Sequence, residues 1–576
     1  MKRSSRSPRL VAKATDEFEP RADNVDDDVL RRATVTEDIF DEVHKALVNR
    51  RMCLVVGPRG CGKTHMMRYT ALQCAENKRL PLAVYVSFSK YLRLEPFLSS
   101  KQNGLTYFQI WVLCRITEAA FSLAARLEKH DEARQTLEEI LAINHDQAAK
   151  LIARLERSST PSPQEMASAE RLTSDTMLNA LSVLAQLDGR NRTVLLLDDA
   201  ALTLTPDFLV EFFEIARTLN NQKVAPKCSV YPGTTEYGPR FHARQQAQEV
   251  RVWLPVNQER YLEIMCAVGD RRLGAEVASI SETTKQYLAF AAFGMPRAYL
   301  TLLTEVIEAG SQPRQQALNK IVQEHRDGIT AEYRSLTIKV PKFQTLIALG
   351  EKLFHKCVAD IRDANINLVE RHQLLVGIEA DKVPPLAQRM FRLLIEVGLL
   401  YELPEVSHGQ DRRYRRFIPH VAALFAIRAF SGKSRGQDLG AIVSVLRAKN
   451  VDHPVRRTVA SLLGEADINA LKIDLPPCAV CLTPRISEDQ RFCHHCGTPL
   501  TDASTFNRLM NVAVWEVSTL SNFQRAVLQE RSITTIGDFL SLDDPGGELR
   551  RTKWVGPAVS GKMIEKIMAY VDEFLS

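Results

Sequence analysis

Five short apolar runs mark the first half of the chain, with helical stripes filling the spaces between them. The runs are LVV at 54–56, LPLAVYVSFS at 80–89, TVLLLDDA at 193–200, a strand from Lys227 to Tyr231, and RVWLPV at 251–256. Apolar runs of this length, bounded by turn residues, predict buried strands of a parallel sheet. TVTEDIFDEVHKALVNRR at 34–51 has apolar spacing of three and four after a Thr or Ser-like cap, which predicts a helix leading into the first strand. Residues 103–156 read as long helices, and SSTPSPQ at 158–164 as a linker. Past the last strand the helices resume, and at FGMPR Gly294 and Pro296 break one helix while Arg297 starts the next. In LAQRMFRLLIEVG, Leu386, Met390, Leu393, Leu394 and Val397 form a stripe stopped at Gly398. LLYELPEV and RRYRRFIP then predict two strands around the turn SHGQD.

A chain of 576 residues exceeds one core, so about three to five domains are expected. Residues 1–33 have a basic stretch and an acidic one with no apolar period, which predicts a disordered tail. No apolar run approaches a membrane span and no secretion signal opens the chain, which points to a cytoplasmic protein without a membrane partner. The net charge of +6 permits an anionic partner without requiring one. Of eleven cysteines, seven are scattered in apolar surroundings and read as reduced core residues, which fits a reducing compartment.

The stretch GPRGCGKTH, from Gly57 to His65, carries the full G-x-x-x-x-G-K-[ST] pattern between an apolar strand and a helix. Glycine at Gly57, Gly60 and Gly62 lets backbone N–H groups surround phosphate oxygens, so Gly57, Pro58, Arg59, Gly60, Cys61, Gly62, Lys63, Thr64 and His65 form the candidate ATP cradle. Lys63 supplies a cation to the β/γ-phosphates, and Thr64 a hydroxyl to a phosphate-bound Mg²⁺. The strand at 193–198 ends in two carboxylates, of which Asp198 would hold Mg²⁺ and Asp199 would polarise the attacking water. The strand from Lys227, placed beside the P-loop strand, would bring Thr234 or Thr235 near the γ-phosphate.

GPRGCGKT, LLLDDA, the strand end YPGTTEYGP and GMPR followed by a helix together resemble the AAA+ ATPases of the origin-recognition and initiator type, and the related signalling NTPases called STAND. The resemblance covers roughly residues 36–430 and implies an α/β P-loop core with a helical lid and a winged helix. It implies that Thr234 or Thr235 is the first sensor and Arg297 the second. Arg240 becomes a candidate finger toward a neighbouring subunit, in competition with Arg217 and Arg244. The family usually carries Glu where this chain has Asp199, one methylene shorter, which implies slow hydrolysis or nucleotide sensing.

Arg412, Tyr414 and Arg416 alternate with Arg413 and Arg415 along the second wing strand, and arginines on both faces predict an exposed wing. Such a wing suits contacts to DNA phosphates; the alternative is an edge strand kept charged against aggregation. Cys478, Cys481, Cys493 and Cys496 follow C-x₂-C-x₁₁-C-x₂-C, the spacing of a structural zinc ribbon, with His494 and His495 surplus to the set. The last seventy residues contain two helix–turn–helix units with Gly537 and Gly556 in the turns. They resemble tandem helix-hairpin-helix domains, particularly the C-terminal domain of the bacterial RNA polymerase α subunit. That likeness implies backbone contacts to DNA from Arg525, Gly556, Ser560 and Lys562; the nearly balanced charge of the segment fits protein docking equally.

The expected organisation is a tail at 1–33, an AAA+ core at 34–256, a helical lid at 257–334 and a winged helix at 335–430. A helical linker at 431–473, a zinc ribbon at 474–502 and an all-α helix-hairpin-helix domain at 503–576 complete it. The expected activity is ATP hydrolysis coupled to binding of double-stranded DNA by a homo-oligomer or with a partner ATPase or effector protein. Competing readings are a STAND-like switch that signals to a protein partner, as in antiviral defence, and a scaffold in which nucleotide is only structural.

Overall fold

Strands β1 (Cys53–Val56), β2 (Leu82–Ser87), β3 (Thr193–Asp198), β4 (Val224–Val230) and β5 (Gln248–Arg251) form one parallel sheet in the order β2-β3-β4-β1-β5. They belong to a computed structural model that describes residues 22 and 25–575, apart from 89–93, 96, 98–102, 158, 200–205, 234, 236, 311–314, 367, 369–370, 408–411, 431–437, 449–450, 488–489, 491, 499, 501–504, 518 and 543. The order sets β4 between the P-loop strand and the acid-bearing strand. Both faces of the sheet are covered, so the strands read as apolar runs and not as an alternation. On β3, Val194 and Leu196 enter the core shared with helices α2 (Ile39–Val48) and α3 (Lys63–Glu76), whereas Leu195 and Leu197 face the helices Gly104–Ala124 and Pro206–Thr218. Five helices between Gly104 and Leu187 fill the interval between β2 and β3. The fold is mixed α/β.

Several boundaries differ from those the pattern predicts. The tail expected at 1–33 contains a helix, α1 (Asp27–Ala33), capped by Asp26 and buried through Leu30. Arg68 ties it to α3 by donating to the Val25 carbonyl and to Asp27 at 2.7 Å. Its acidic neighbours masked an apolar pair too short to show a period. Helix α2 starts after Asp38, whose side chain makes no cap bond, and not from a Thr or Ser cap. Strand β4 runs from Val224 to Val230 instead of Lys227 to Tyr231. The last strand pairs with β1 over Gln248–Arg251, not 251–256, because Val252 to Leu254 leave the sheet for the lid core, where Trp253 Nε1 donates to the Phe293 carbonyl at 2.8 Å.

The helix Gln315–Lys339 runs through the boundary drawn at 334/335. Beyond it, helix Gln344–Asn365, β6 (Val376–Glu379), helix Pro385–Glu396 and the hairpin β7 (Leu400–Ser407) with β8 (Arg413–Pro419) make a winged-helix arrangement. Residues expected as a helical linker belong to the same body. Strand β9 (Val455–Arg457) pairs with β6 in the sheet β7-β8-β6-β9, and Val443, Leu446, Val459 and Leu462 enter the large core. The C-terminal helices from Thr505 to Leu575 have a core of their own, with Leu528, Ile536, Met563 and Ile567 fully buried. Gly537 sits inside the helix Ile536–Leu540 and not in a turn; a Cβ there would lie 2.7 Å from the Met510 carbonyl oxygen.

Gly294 fixes how the lid meets the sheet. Its φ is +76°, and a Cβ would stand 1.9 Å from the Leu254 carbonyl oxygen. Gly294→Ala is expected to lower stability by about 1–3 kcal/mol, from the left-handed conformation and the clash together. An unchanged denaturant midpoint for the domain built on the first sheet would contradict this packing.

Candidate nucleotide site and metal centre

The β1–β4 pairing aligns Val56 with Val230, so the P-loop and Tyr231 leave the sheet side by side, and Gly57 N–H donates to the Val230 carbonyl at 3.4 Å. The loop turns through Gly60 at φ +78° and Gly62 at φ +101°, conformations that favour glycine. Cys61 folds into the turn, fully buried, and a Cβ on Gly57 would meet its Sγ at 2.5 Å. Helix α3 begins at Lys63, so its first N–H groups point at the loop without helical acceptors. Lys63, 6% exposed, donates to the Gly57 carbonyl at 2.7 Å and the Pro58 carbonyl at 2.9 Å, and its Nζ lies 3.9 Å from the Tyr231 ring centroid. Burial pulls the pKa of this ammonium down, while Asp199 and Asp198 pull against it.

Asp198 is fully buried at the end of β3 and takes the Tyr85 hydroxyl at 3.0 Å. The chain turns at Asp199 with φ +54°, and its N–H donates to Asp198 Oδ1 at 3.0 Å and to Ser229 Oγ at 2.8 Å. The Asp198 carboxylate and the Thr64 hydroxyl are hard oxygen donors of the kind Mg²⁺ takes. Arg297, near the start of helix Pro296–Glu308, is brought to the loop: its N–H donates to the Gly60 carbonyl at 3.3 Å. Thr234 lies outside the described residues. Thr235 is committed locally, because its hydroxyl accepts from Tyr231 N–H at 3.1 Å. His65 turns away from the loop toward Thr34, at 2.8 Å. Among the finger candidates, Arg217 pairs with Glu214 and Arg240 is exposed, while the Arg244 side chain lies outside the described residues.

Sequence reasoning missed Tyr231, Tyr85 and Ser229. Tyr231 was legible only as the residue after a strand; the cation above its ring, with Arg59 at 5.7 Å on the same ring, follows from strand order.

Residues 19–205 match the ORC-CDC6-like family model. The match runs from before α1 to just past the two carboxylates, less than half of the chain. Among solved structures, the chain is similar to a Walker-type ATPase of Pyrococcus abyssi at 12% identity and TM-score 0.36, over 68% of this chain and 95% of that one. It is also similar to the Orc1 protein of Aeropyrum pernix in complex with DNA, at 15% identity and TM-score 0.32, over 70% and 95% of the two chains. A third is Cdc6p of Pyrobaculum aerophilum, at 15% identity and TM-score 0.30, over 73% and 98%. No curated protein matches.

The four ribbon cysteines converge. Their sulfurs lie within 4.8 Å of one another, with Cys478 and Cys496 3.5 Å apart and Cys481 and Cys493 also 3.5 Å apart. The two knuckles repeat one geometry. Leu482 and Gly497, both at positive φ, donate to the Cys478 and Cys493 carbonyls at 2.9 Å, and the Thr483 and Thr498 hydroxyls lie 3.1 and 3.2 Å from Cys481 and Cys496. The Thr498 hydroxyl and N–H lower the pKa of the Cys496 thiol; zinc binds cysteine as thiolate. His494 bonds Gln490 at 3.2 Å and stays out of the set. The donor chemistry fits a closed four-thiolate zinc site.

The expected wing is corrected in two respects. Strand β8 is an interior strand, paired with β7 and β6, so it is neither a free wing nor an edge. Its arginines are partly engaged. Arg413 pairs with Asp381 and Arg415 with Glu402, each at 2.7 Å; Arg415 also stacks over Phe391 and Phe417, and Arg416 donates to the Pro404 carbonyl at 3.0 Å. Tyr414 is buried and Arg412 exposed. The Arg415 guanidinium sits over two aromatic rings while paired with Glu402, so alternating arginines did not exclude burial. In the C-terminal domain Ser560 is 1% exposed and donates to the Pro557 carbonyl, and Arg525 turns in to the Val517 carbonyl at 3.3 Å. Neither presents itself to a phosphate. Gly556 and Lys562 are exposed.

Two outcomes follow from this geometry. Protein purified without chelator should carry one zinc per chain, and Cys481→Ser should unfold the region around 474–502 while nucleotide binding persists; substoichiometric metal would argue against the site. Burial also holds His65 and His325 at about 4, below the ordinary 6.5, so both are neutral in the fold. The unfolded chain binds more protons between those values, and stability is therefore expected to fall as pH drops from about 6.5 toward 4. A flat thermal midpoint across that window would contradict their burial.

Proposed function

We propose that the chain is an ATP-binding, ATP-hydrolysing protein of the origin-recognition type that binds double-stranded DNA according to its nucleotide state. The observation that carries this reading is the convergence of Lys63, Asp198, Asp199 and Arg297 on one loop, from two sheet strands and the lid. In this reading Gly57 to Thr64 cradle the phosphates, Lys63 leaves its carbonyls for the β/γ-oxygens, and Thr64 and Asp198 hold Mg²⁺. Asp199 orients the attacking water, and its turn at positive φ aims a side chain one methylene shorter than glutamate. Arg297 reports the γ-phosphate to the lid. On the DNA side, Arg412 and Lys562 are exposed for phosphate contact, and the paired Arg413, Arg415 and Arg416 would have to exchange partners.

A second reading, a nucleotide switch that signals to a protein, is favoured by one contact. A Cβ on Gly233, in the turn after β4, would stand 2.7 Å from the Arg392 carbonyl oxygen and 2.2 Å from Glu396 Oε2, so helix Pro385–Glu396 packs on the turn that follows Tyr231. Duplex-stimulated ATP turnover separates the two: strong stimulation supports the DNA machine, and turnover that answers only to a protein supports the switch.

Lys63→Ala is expected to abolish tight ATP binding, since charge-assisted bonds to phosphate contribute about 1.5–3 kcal/mol each. Asp199→Asn should keep binding and lose turnover; hydrolysis at the unaltered rate would remove its assigned role. Arg297→Ala should bind ATP without the change in compactness or oligomer distribution that ATP brings about in the unaltered chain. An unchanged shift would eliminate it as a sensor.

A further inference from the structure

At the opposite end of the first sheet from the P-loop, the N-terminal ends of β1, β3, β4 and β5 surround an open cavity of about 740 Å³. Arg50, Arg51, Arg192 and Lys223 line it, the remaining lining is mostly Asn and Gln, and no lining residue is acidic. Arg50, Arg51 and Lys223 are exposed. Among the described residues none of the four side chains has a hydrogen-bond or ion-pair partner, and Arg192 Nη1 is buried without one. A buried donor left unmade costs about 1–3 kcal/mol, and Arg192 carries that cost at the wall of the cavity.

The ordinary reason for cations here would be helix ends, because α2, helix Ser174–Leu187 and helix Pro206–Thr218 all finish near this edge. Other cations do that work for α2 and α3, and among the described residues Arg50, Arg51, Arg192 and Lys223 hydrogen-bond no helix-end carbonyl. Lys227, fully buried on β4, donates to the Ala46 and Asn49 carbonyls, each at 3.0 Å, at the end of α2. Arg190 donates to the carbonyls of Cys74 at 2.6 Å and Pro81 at 2.8 Å, after α3, and pairs with Asp188. Arg50, Arg51, Arg192 and Lys223 are a surplus. With no carboxylate in the lining they make a wall of four cations, and burial together with repulsion from Arg50 lowers the Arg192 pKa.

We propose that this cavity is a binding site for a phosphorylated ligand, which places two or more phosphate groups on Arg50, Arg51, Arg192 and Lys223. Planar guanidinium forks and amide donors suit phosphate oxygens, and the width of the cavity admits more than one phosphate. The phosphates belong either to a free polyphosphate or to a nucleic-acid backbone. The site is separate from the P-loop and independent of the nucleotide reading given to it.

The test uses the full chain with the P-loop saturated by a non-hydrolysable ATP analogue, and titrates inorganic tripolyphosphate and a short duplex of arbitrary sequence in separate arms. The variants are the exposed pair Arg50→Ala/Lys223→Ala and, separately, Arg192→Gln, with thermal midpoints measured alongside. The expected result is a loss of affinity of about tenfold or more per variant, the scale of one charge-assisted bond. Loss in the tripolyphosphate arm identifies a free ligand. Loss confined to duplex, with the salt slope reduced by about 0.9 per contact, identifies nucleic acid. Unchanged binding of both probes in both variants overturns the proposal, and a lowered midpoint in that case means that the cations only offset the helix ends.

Discussion

The nucleotide end of this protein depends on β4 lying between β1 and β3. Parallel pairing puts Val230 beside Val56, so Tyr231 emerges next to Gly57 and its ring comes under the Lys63 ammonium. The same strand, on its other edge, brings Ser229 to the Asp199 N–H. One strand thus holds the cation on one side and the carboxylates on the other. If β1 and β3 were direct neighbours, the lysine and the two acids would meet in an ion pair, and the space for phosphate would close. With the strand between them, Lys63 rests on the Gly57 and Pro58 carbonyls and Asp198 on the Tyr85 hydroxyl and the Asp199 N–H.

Two buried cations of the first sheet go to carbonyls: Lys63 takes Gly57 and Pro58, and Lys227 the end of α2, whereas Arg190 divides between the end of α3 and the Asp188 carboxylate. A carbonyl partner leaves the positive charge unneutralised, unlike a carboxylate, so both ends of the sheet remain electropositive. At the P-loop end this suits a nucleotide triphosphate, and it gives the far cavity its field.

How much of this was legible depended on whether the signal was local. The P-loop, the acid-ended strand and the cysteine knuckles each lie within a short window, and their residue types have few other uses. Tyr231 and Tyr85 were illegible because their roles come from strand order. Ser560 and Arg525 misled because position in a motif does not report which way a side chain turns; the serine back-bonds within its helix and the arginine caps a carbonyl. The strand Val455–Arg457 was missed for a related reason: three residues after a segment of helices carry no period, and only pairing with β6 makes them a strand. Arg415 shows the converse error, since alternation of charges was read as exposure although aromatic faces at Phe391 and Phe417 can cover a guanidinium.

The winged-helix body is joined to the nucleotide end by contacts that leave little slack. Gly398 has no room for a Cβ beside Met295, the residue before the lid helix; Tyr401 donates to the Trp253 carbonyl at 3.3 Å, and Arg251 to the Glu402 carbonyl at 2.9 Å. Gly233 closes the set against Arg392 and Glu396. Two hydrogen bonds at about 0.5–1.5 kcal/mol each, plus this packing, are a modest barrier against the differential affinity a nucleotide can supply. The contacts are also placed in series: Tyr231 touches Lys63, its N–H holds Thr235, and the turn between them carries Gly233. Under the proposed function, a phosphate that draws Lys63 from the Tyr231 ring would act on the turn against which the winged helix packs. Glycine at 233 sets the closeness of that contact, because a Cβ there would meet the Arg392 backbone, whereas at 398 it would meet only the flexible end of Met295.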